Sequence, residues 1–271
     1  MAEKEIKFDV VILGSGGMLG QMARKYFTRN GYNVSCFDER FLYENRNRYS
    51  AYLRKLRNTV VVNCIGRIKQ KTTAADDLLQ ANSILPAELR NSLHEEVKLI
   101  QPGTDCIFKG DLGAPYPAQH PADAEDEYGW SKRLGEVVLT GRPNTLLLRV
   151  SIIGTDNNPA GKGLLAWTMS NPPGSRISGY TNHLWNGITT LEWCKQVDSF
   201  LSNHSQFEFS LLQYGTSEFY SKNELLGIVN KIFELGLNIE PVATTTPVDR
   251  RLVPDVICKP LPEQLKELRF Y

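Results

Sequence analysis

The chain has 271 residues, a net charge of +1 and a hydrophobic fraction of 41%. That size allows one large core or two lobes, and the near-neutral charge gives no electrostatic basis for binding nucleic acid or an anionic membrane. No apolar run approaches the ~20 residues of a membrane-spanning helix, and the N-terminus Met-Ala-Glu-Lys-Glu lacks the apolar segment of a signal peptide. We therefore expect a cytoplasmic protein with neither a nucleic-acid nor a membrane partner.

The cysteines and histidines give no sign of a metal site. The five cysteines are scattered and odd in number, without a Cys-x-x-Cys pair, as expected for free thiols in a reducing compartment. The four histidines lack metal-ligand spacing. We expect no metal.

A glycine-rich loop follows the first predicted strand. The apolar run 8–13 leads into Gly14-Ser-Gly-Gly-Met-Leu-Gly20, and a helix is predicted over 18–30 with Gly31 at its C-terminal cap. This order is the context of a dinucleotide-binding loop, because glycines allow close backbone approach and a helix N-terminus attracts pyrophosphate. The spacing Gly-x-x-Gly-x-x-Gly favours the short-chain dehydrogenase type of Rossmann domain. The residues expected to contact the cofactor here are Gly14, Gly16, Gly17, Met18, Leu19 and Gly20.

The second predicted strand, 33–38, ends in the carboxylate of Asp38. A carboxylate at this position can accept hydrogen bonds from the adenosine ribose, which favours NADH. Arg40 lies two residues further on and could instead meet the 2′-phosphate of NADPH. The cofactor is therefore expected to be NADH or NADPH, with NADH preferred.

Strands and helices continue to alternate along the first half of the chain. Further strands are predicted over 59–66, 97–103 and 145–154, and Pro86 is expected to start a helix over 87–96. This alternation predicts an α/β fold with a Rossmann-type, doubly wound parallel sheet. Ligands of such sheets bind beyond the carboxyl ends of the strands, so separate pieces of sequence should converge on one crevice there.

The alternation weakens in the second half. Loops are predicted at 157–163 and 171–174, and the capping box Ser221-Lys-Asn-Glu224 should start a helix that ends near Gly236. We expect an NAD(P)-binding domain over residues 1–156 and a smaller substrate-binding lobe that takes up most of residues 157–271. Residues 187–215 could return to the first domain.

Tyr128 and Lys132 are spaced by one helical turn, which places both side chains on one helix face. A tyrosine, with a pKa of about 10, is a poor acid or base at neutral pH, but a nearby positive charge lowers that pKa and makes proton transfer accessible. Such a pair is unspecific by itself. Its weight comes from the glycine-rich loop, which would place a cofactor beside it.

With these motifs the chain resembles the extended short-chain dehydrogenases/reductases, and within them the dTDP-4-dehydrorhamnose reductase-like sugar-nucleotide reductases. The combination Thr-Asp-x-x-Phe-x-Gly with Tyr-Gly-x-Ser-Lys-x-x-Gly-Glu is specific, and the match in the second half is looser. The segments that carry the resemblance are 14–20, 62–66, Asn82, 103–110, 128–136, 148–154, 179–190 and 249–252.

The resemblance implies an NAD(P)H-dependent oxidoreductase that reduces the C4 ketone of a nucleotide-linked 4-keto-6-deoxysugar, in deoxysugar and surface-polysaccharide biosynthesis. Tyr128 would donate a proton to the carbonyl oxygen, Thr104 would donate a hydrogen bond to it, and Lys132 would hold the nicotinamide ribose. The residues implied to line the cofactor beyond the glycine loop are Asn63, Cys64 and Gly66. Gly103 departs from the family, which usually has serine there, and is expected to loosen the loop.

The substrate side is assigned on the same resemblance. Asp105 would support the site beside Thr104, while Trp185, Asn186 and Arg250 are candidates for contacting the base, sugar and diphosphate. Arginine suits a diphosphate because its planar guanidinium can bind two oxygens at once. The alternatives are that Trp185 is a buried anchor and that Arg250 is a surface charge.

Two other functions stay open at this point. A sugar-nucleotide epimerase, or a combined epimerase/reductase, would need an additional acid/base beside the ring, for which His120, His183 and Cys106 are candidates. A cofactor-binding regulatory subunit would need no catalytic residues at all. A homodimer is plausible because relatives often pair, and the sequence fixes neither the nucleotide nor the stereochemistry of the product.

Overall fold

The structure is a computed structural model that describes residues 9–70, 74–157 and 162–271. Its strands, in chain order, are β1 (Asp9–Leu13), β2 (Asn33–Phe37), β3 (Thr59–Asn63), β4 (Lys98–Pro102), β5 (Thr145–Arg149), β6 (Ile152–Ile153), β7 (Arg176–Tyr180), β8 (His183–Trp185), β9 (Ile188–Thr189), β10 (Ser210–Thr216), β11 (Tyr220–Ser221), β12 (Asn238–Val242), β13 (Val248–Asp249) and β14 (Val256–Cys258). Its α-helices are α1 (Met18–Arg29), α2 (Arg46–Leu53), α3 (Ala75–Leu79), α4 (Leu85–Ser92), α5 (Glu127–Leu139), α6 (Leu164–Met169), α7 (Thr190–Asn203), α8 (Lys222–Phe233) and α9 (Leu261–Phe270).

The central sheet has seven strands in the order β14-β10-β5-β4-β3-β1-β2. Every neighbouring pair in it is parallel. The chain leaves β1 to form β2 on one side and then crosses over to form β3 on the other, so the topological switch point lies between β1 and β3. The predicted α/β Rossmann-type parallel sheet is confirmed, and the switch point is where such sheets bind ligands.

Both faces of the sheet are covered by helices because alternate residues of each strand point to opposite sides. Val10 and Ile12 of β1 belong to a core that also contains residues of α1, α7, α8 and α9. Val11 and Leu13 belong to a second core with residues of α2, α4 and α5. This pattern explains why β1 and β3 are continuous apolar runs.

The second half of the chain contributes to both parts of the molecule. The strand β10 pairs with β5, β14 pairs with β10, and α7 packs on α1. The remaining strands form small ladders, β11-β8-β13, β12-β7 and β6-β9, outside the central sheet. The division into residues 1–156 and 157–271 stays a prediction.

The strands predicted at 59–66 and 145–154 end earlier in the structure, at Asn63 and Arg149, and two other predicted segments extend beyond the described residues. The run predicted at 145–154 breaks after β5, because Ile152–Ile153 turns away to pair with β9. The first strand begins at Asp9, and Phe8 lies outside the described residues. Most of the loop predicted at 157–163 also lies outside them.

Pro86 is the second residue of α4, at a helix start as predicted, but α4 follows the preceding helical segment without a break. The segment from α3 to α4 is helical throughout, with a π-helical turn over Gln80–Ile84. Proline lacks the N–H that would bond to the carbonyl of Asn82 one turn earlier, and a π turn accommodates such an interruption. The carbonyl of Asn82 instead faces α5, where a Cβ at Gly135 would lie 2.1 Å from it.

Candidate active site

Tyr128 and Lys132 lie in the first two turns of α5, as their spacing predicts. The helix begins after Asp126, whose carboxylate accepts a hydrogen bond from the backbone N–H of Gly129 at 2.7 Å. A Cβ on Gly129 would lie 2.4 Å from the carbonyl oxygen of Cys106, so the glycine permits this close approach. The start of α5 is thereby held against the segment that follows β4.

Thr104 lies in that segment, just beyond the carboxyl end of β4. Its hydroxyl donates to Oδ1 of Asp105 at 3.2 Å, accepts from the backbone N–H of Cys106 at 3.2 Å, and hydrogen-bonds with the side chain of Tyr128. The ammonium of Lys132 donates to the carbonyl of Pro102, the last residue of β4, at 2.8 Å. The structure therefore brings the three predicted catalytic residues together at one strand end.

Burial is the main cause of the pKa shifts of Tyr128 and Lys132. The pKa of Tyr128 is raised well above its ordinary value by burial, and the hydrogen bond with Thr104 opposes that shift only in part. The sequence predicts that Lys132 lowers the pKa of Tyr128. In the structure this pKa is raised instead, because desolvation of the phenolate outweighs the hydrogen bond with Thr104. Burial also lowers the pKa of Lys132 to about 8. At neutral pH, Tyr128 is a protonated phenol that is able to donate.

Packing explains why position 103 is a glycine. A Cβ at this position would lie 3.0 Å from Cγ of Arg149 and 3.0 Å from Cδ2 of Leu147. The guanidinium of Arg149 forms a buried ion pair with Glu136 at 2.9 Å, so Arg149 has a structural role. Glycine leaves room for this arginine, and its own N–H donates to the carbonyl of Leu148 at 2.6 Å, which holds the segment in place.

Asn82, in the π turn, connects the segment after β3 with α5. Its side chain accepts from the N–H of Arg67 at 3.0 Å and donates to the carbonyl of the same residue at 2.9 Å. It also donates to Oγ of Ser131 at 2.9 Å. The hydroxyl of Ser131 in turn donates to the carbonyl of Tyr128 at 2.8 Å. One amide therefore orients the β3 segment and the catalytic helix together.

A cavity of about 400 Å³ lies at the switch point of the sheet. The predicted cofactor residues that line it are Gly14, Gly16, Gly17, Asp38, Cys64 and Gly66. The loop has the form that a dinucleotide needs: a Cβ at Gly20 would lie 2.1 Å from the carbonyl of Gly14, while a Cβ at Gly16 would meet nothing within 4 Å. Gly17 caps α1 without a side-chain hydrogen bond, so the first amides of the helix are available to an anion.

Asp38 and Arg40 lie on the wall of this cavity. The carboxylate of Asp38 accepts from the backbone N–H of Ser15 at 2.5 Å and from its hydroxyl at 2.7 Å. Arg40 forms an ion pair with Asp77 at 2.6 Å. The carboxylate of Asp38, which is predicted to bind the ribose, is therefore fixed in orientation, and Arg40 already has an anionic partner.

Five predicted cofactor residues do not line the cavity: Lys132, described above, and Asn63, Leu19, Gly20 and Met18. Asn63 is 1% exposed and donates to Gln101 at 2.8 Å, which makes it part of the sheet interior. Leu19 packs against the core and Gly20 contacts Gly14. Met18, the first residue of α1, lies near Gly163, where a Cβ would be 3.3 Å from its sulfur.

A second cavity, of about 520 Å³, lies in the C-terminal half of the chain. Its walls come from α6, β7, β8 and α8, and they carry both aromatic and cationic side chains. The residues that line it are Leu164, Trp167, Asn171, Arg176, Ile177, Ser178, Tyr180, His183, Lys222 and Leu226.

Of the predicted substrate residues, Arg250 and Asp105 lie beside the catalytic group. The Nε of Arg250 donates to the carbonyl of Phe108 at 2.8 Å, and its terminal nitrogen lies 3.7 Å from the sulfur of Cys106. Asp105 is 7% exposed and accepts from Thr104. Arg250 is therefore anchored by its Nε, with its other donors able to meet a ligand.

Trp185 and Asn186 are placed differently from the prediction. Trp185 is 2% exposed and its indole N–H donates to Oγ of Ser151 at 2.7 Å. The side chain of Asn186 is bonded to both the N–H and the carbonyl of Leu252. The structure does not bring either residue to a surface that a ligand can reach, because both serve packing, and Trp185 takes the alternative role of a buried anchor.

Of the candidate acid/base groups for an epimerase, Cys106 lies beside Thr104, whereas His120 and His183 lie elsewhere. His120 is partly exposed and bonds to the carbonyl of Pro121. Burial raises the pKa of Cys106 to about 12, which leaves it a thiol at neutral pH. His183 lies on the wall of the second cavity, where burial lowers its pKa.

Sequence reasoning missed Ser15, which fixes Asp38, and Lys222, which lines the second cavity. Lys222 follows the N-cap Ser221 directly, as the capping box predicts. A lysine in the first turn of a helix is placed where the helix dipole disfavours a cation. A lysine directly after a predicted N-cap residue is therefore the sequence signal that could have identified Lys222.

No helix in residues 9–70, 74–157 and 162–271 is both long and apolar enough to cross a membrane. Over the same ranges, no cluster of three or more histidine, cysteine or acidic side chains has the geometry of a metal site.

Comparison with known proteins agrees with this architecture. The structure superposes on the NADP complex of a dTDP-4-dehydrorhamnose reductase from Bacillus anthracis with a TM-score of 0.83 and 17% identity, over 97% of this chain and 98% of that one. A UDP-glucose 4-epimerase from Thermotoga maritima, in complex with UDP-glucose, superposes with a TM-score of 0.75 and 15% identity, over 97% and 98% of the chains. At these identities the likeness concerns the fold alone.

A sequence relative is described as a probable dTDP-4,6-dihydroxy-2-methyloxan-3-one 4-ketoreductase from Streptomyces antibioticus. It is 31% identical over 147 residues, which are 52% of this chain and 50% of the relative. The chain thus spans about half the length of the curated relative that it matches. The family model described as RmlD substrate binding domain matches residues 8–170. The chain belongs to this family, the dTDP-4-dehydrorhamnose reductase-like proteins, as its motifs predicted.

Proposed function

We propose that this protein is an NAD(P)H-dependent reductase that converts the C4 ketone of a nucleotide-linked 4-keto-6-deoxysugar into an alcohol. The observation that carries the proposal is the meeting of Thr104, Tyr128 and Lys132 at the carboxyl end of β4. The names of the Streptomyces relative and of the Bacillus protein of similar fold support the same reaction.

The proposed chemistry follows from the state of each side chain. A reduced nicotinamide cofactor would supply, when bound, the hydride that the carbonyl carbon accepts. Tyr128, held as a phenol by burial, donates its proton as negative charge develops on the carbonyl oxygen. Thr104, whose hydroxyl already lies within hydrogen-bonding distance of Tyr128, helps to stabilise that oxygen. Lys132 is positioned to hold the nicotinamide ribose.

The cofactor preference is proposed to be NADH over NADPH. Asp38 is held by Ser15 with its carboxylate on the cavity wall, where its charge would repel a 2′-phosphate and its free lone pairs can accept from ribose hydroxyls. Arg40 is paired with Asp77, which reduces its ability to attract a phosphate.

The nucleotide end of the substrate is proposed to occupy the second cavity. Trp167 and Tyr180 on its walls can pack against a base, and Arg250 lies between the catalytic threonine segment and the C-terminal lobe with donors to spare. Asp105 supports Thr104 rather than the base. The same proposal includes a cofactor domain of residues 1–156 to which residues 187–215 return, a substrate lobe made mainly of residues 157–271, a cytoplasmic location and a homodimer.

The reductase is favoured over the two alternatives by the same site. The epimerase needs a further acid/base beside the ring, and Cys106 is held as a thiol while His120 lies in a separate aromatic cluster with Phe108 and Tyr116. A regulatory subunit has no need of Thr104, Tyr128 and Lys132 held together at one strand end.

The test is oxidation of NADH and NADPH in the presence of enzymatically generated 4-keto-6-deoxysugars linked to dTDP, UDP or GDP. We expect turnover with one of them, and in Tyr128→Phe a loss of about 100- to 10,000-fold in kcat, the usual contribution of a general acid, with unchanged cofactor affinity. Cofactor binding without turnover of any of the sugars would contradict the reductase.

A further inference from the structure

Lys222 connects the catalytic group with the second cavity. It is the first residue of α8 and lines the cavity wall. Its charge also interacts with Asp105 and Arg250, which lie in or beside the catalytic group. One lysine is therefore within electrostatic reach of both the proposed reacting end and the proposed nucleotide end of the substrate.

The placement of this lysine is unfavourable without an anion. Burial lowers its pKa, the positive end of the α8 dipole is adjacent, and Arg250 adds a second positive charge. Across the part of the chain that the structure describes, its ammonium has no hydrogen bond, and its nearest named contact is the face of Trp185, with Nζ 5.4 Å from the ring centroid. The three N–H donors of the ammonium are thus available.

Arg250 complements it. Its Nε is fixed by the carbonyl of Phe108 and one terminal nitrogen lies against the sulfur of Cys106, which leaves further donors of the guanidinium for a ligand. Burial lowers the pKa of His183 on the wall of the second cavity, and the charges of Lys222 and Arg250 lower it further. Asp105 is the negative charge that interacts with Lys222.

We propose that Lys222 and Arg250 together form a clamp for the diphosphate of the nucleotide-linked substrate, with Lys222 as the substrate-positioning residue on the cavity side. The proposal rests on the proposed function for the identity of the substrate, but not for the chemistry of the site, which is that of a nucleoside diphosphate. Two cations match the two negative charges that a diphosphate brings into a partly buried site. Lys222 acts on binding and orientation, not on proton transfer.

The experiment measures the affinity of the full-length protein for dTDP, UDP, GDP and the corresponding nucleosides by calorimetry. In Lys222→Met, we expect the affinity for the preferred diphosphate to fall by about 10- to 100-fold, the usual effect of losing one charge-assisted hydrogen bond, while the nucleoside binds as it does to the wild type. Lys222→Arg should recover most of the loss. Lys231→Met, an exposed lysine at the other end of α8, is the matched control and should change nothing.

NADH affinity serves as the internal check on folding, because Lys222 does not line the cofactor cavity. The clamp is overturned if Lys222→Met binds the diphosphate as the wild type does, if it loses nucleoside and diphosphate affinity equally, or if the wild type binds no diphosphate. Lys222-dependent diphosphate binding without reduction of any keto sugar would support the clamp and contradict the reductase. Keto-sugar reduction with an unchanged KM in Lys222→Met would contradict the clamp and support the reductase.

Discussion

Lys132 is a charged group that the fold holds at a cost in stability. Its pKa is about 8 in the folded protein and about 10.4 for an ordinary lysine. Below pH 8 the ammonium is charged in both folded and unfolded states, and the folded state carries the full desolvation cost. Between these two pKa values the unfolded chain holds more protons, so stability rises with pH. The cost is absent above the pKa of the unfolded chain.

We therefore expect Lys132→Met to be more stable than the wild type at pH 7, by about 1–3 kcal/mol, although it loses activity. The gain should shrink as the pH approaches 10.4. Urea unfolding of both proteins at a series of pH values measures it. Lys266→Met, at an exposed lysine of α9, controls for the loss of a charge as such. A variant that is less stable than the wild type at every pH would mean that the bond to Pro102 outweighs desolvation.

The charge of Asp38 is expected to determine whether NADH or NADPH binds more tightly. Asp38→Asn removes the charge that is proposed to face the adenosine ribose while preserving the shape of the side chain. We expect the ratio of NADPH to NADH affinity to rise by at least about 10-fold, because one repulsive charge is removed and charge-assisted acceptance is weakened. Titrations of both cofactors by fluorescence measure this ratio. Asp9→Asn, on the exposed start of β1, is the control, and an unchanged ratio in Asp38→Asn would remove the basis for the NADH preference.

Among the elements, the packing of the π turn against α5 is the contact that places the proton donor. The close approach depends on Gly135, because a Cβ there would lie 2.1 Å from the carbonyl of Asn82. In Gly135→Ala we expect a destabilisation of about 1–3 kcal/mol, as for other overpacked interfaces, and a lower kcat because Tyr128 moves with the helix.

The control is Gly227→Ala on α8, where a Cβ meets nothing within 4 Å. Alanine in an open helix position stabilises by about 0.5–1 kcal/mol. Thermal unfolding of both variants with turnover assays would separate the two effects. Equal stability of the two variants would mean that α5 shifts without cost.

The elements that the sequence predicted well are those with local causes. The glycine loop, the capping box at Ser221 and the Tyr128–Lys132 turn each depend on residues within one or two turns, so their spacing is informative. The break after β5, the π turn before Pro86 and the burial of Trp185 depend on partners far away in the chain, β9, α5 and Ser151. No local pattern specifies those partners, and the same holds for Lys222 beside Arg250.

For the whole molecule, the decisive fact is that one core is shared by both halves of the chain. Residues of β1, β3 and α1 pack in it with residues of α7, α8 and α9. Leu261 and Leu265 of α9 are fully buried there. The cofactor domain, as predicted from sequence, therefore keeps α1 but lacks α7, α8 and α9, which cover the same face of its sheet.

We expect the isolated fragment 1–156 not to fold cooperatively, since it exposes that face and the edge of β5 that pairs with β10. Circular dichroism with thermal unfolding of the fragment, beside the full-length chain, provides the measurement. A fragment that melts cooperatively and binds NADH would establish an autonomous domain. The same measurement on a fragment of residues 1–260, which lacks α9, isolates the contribution of that helix to stability.

The amide of Asn82 has a consequence for how proteins of this kind diverge. It ties Arg67, on the wall of the cofactor cavity, to Ser131 of the helix that carries Tyr128. A substitution at one end of this network is therefore expected to affect the other end. The second cavity is built from α6, β7, β8 and α8, so substitutions in these elements should change the nucleotide that the proposed site accepts while the proposed redox site stays the same.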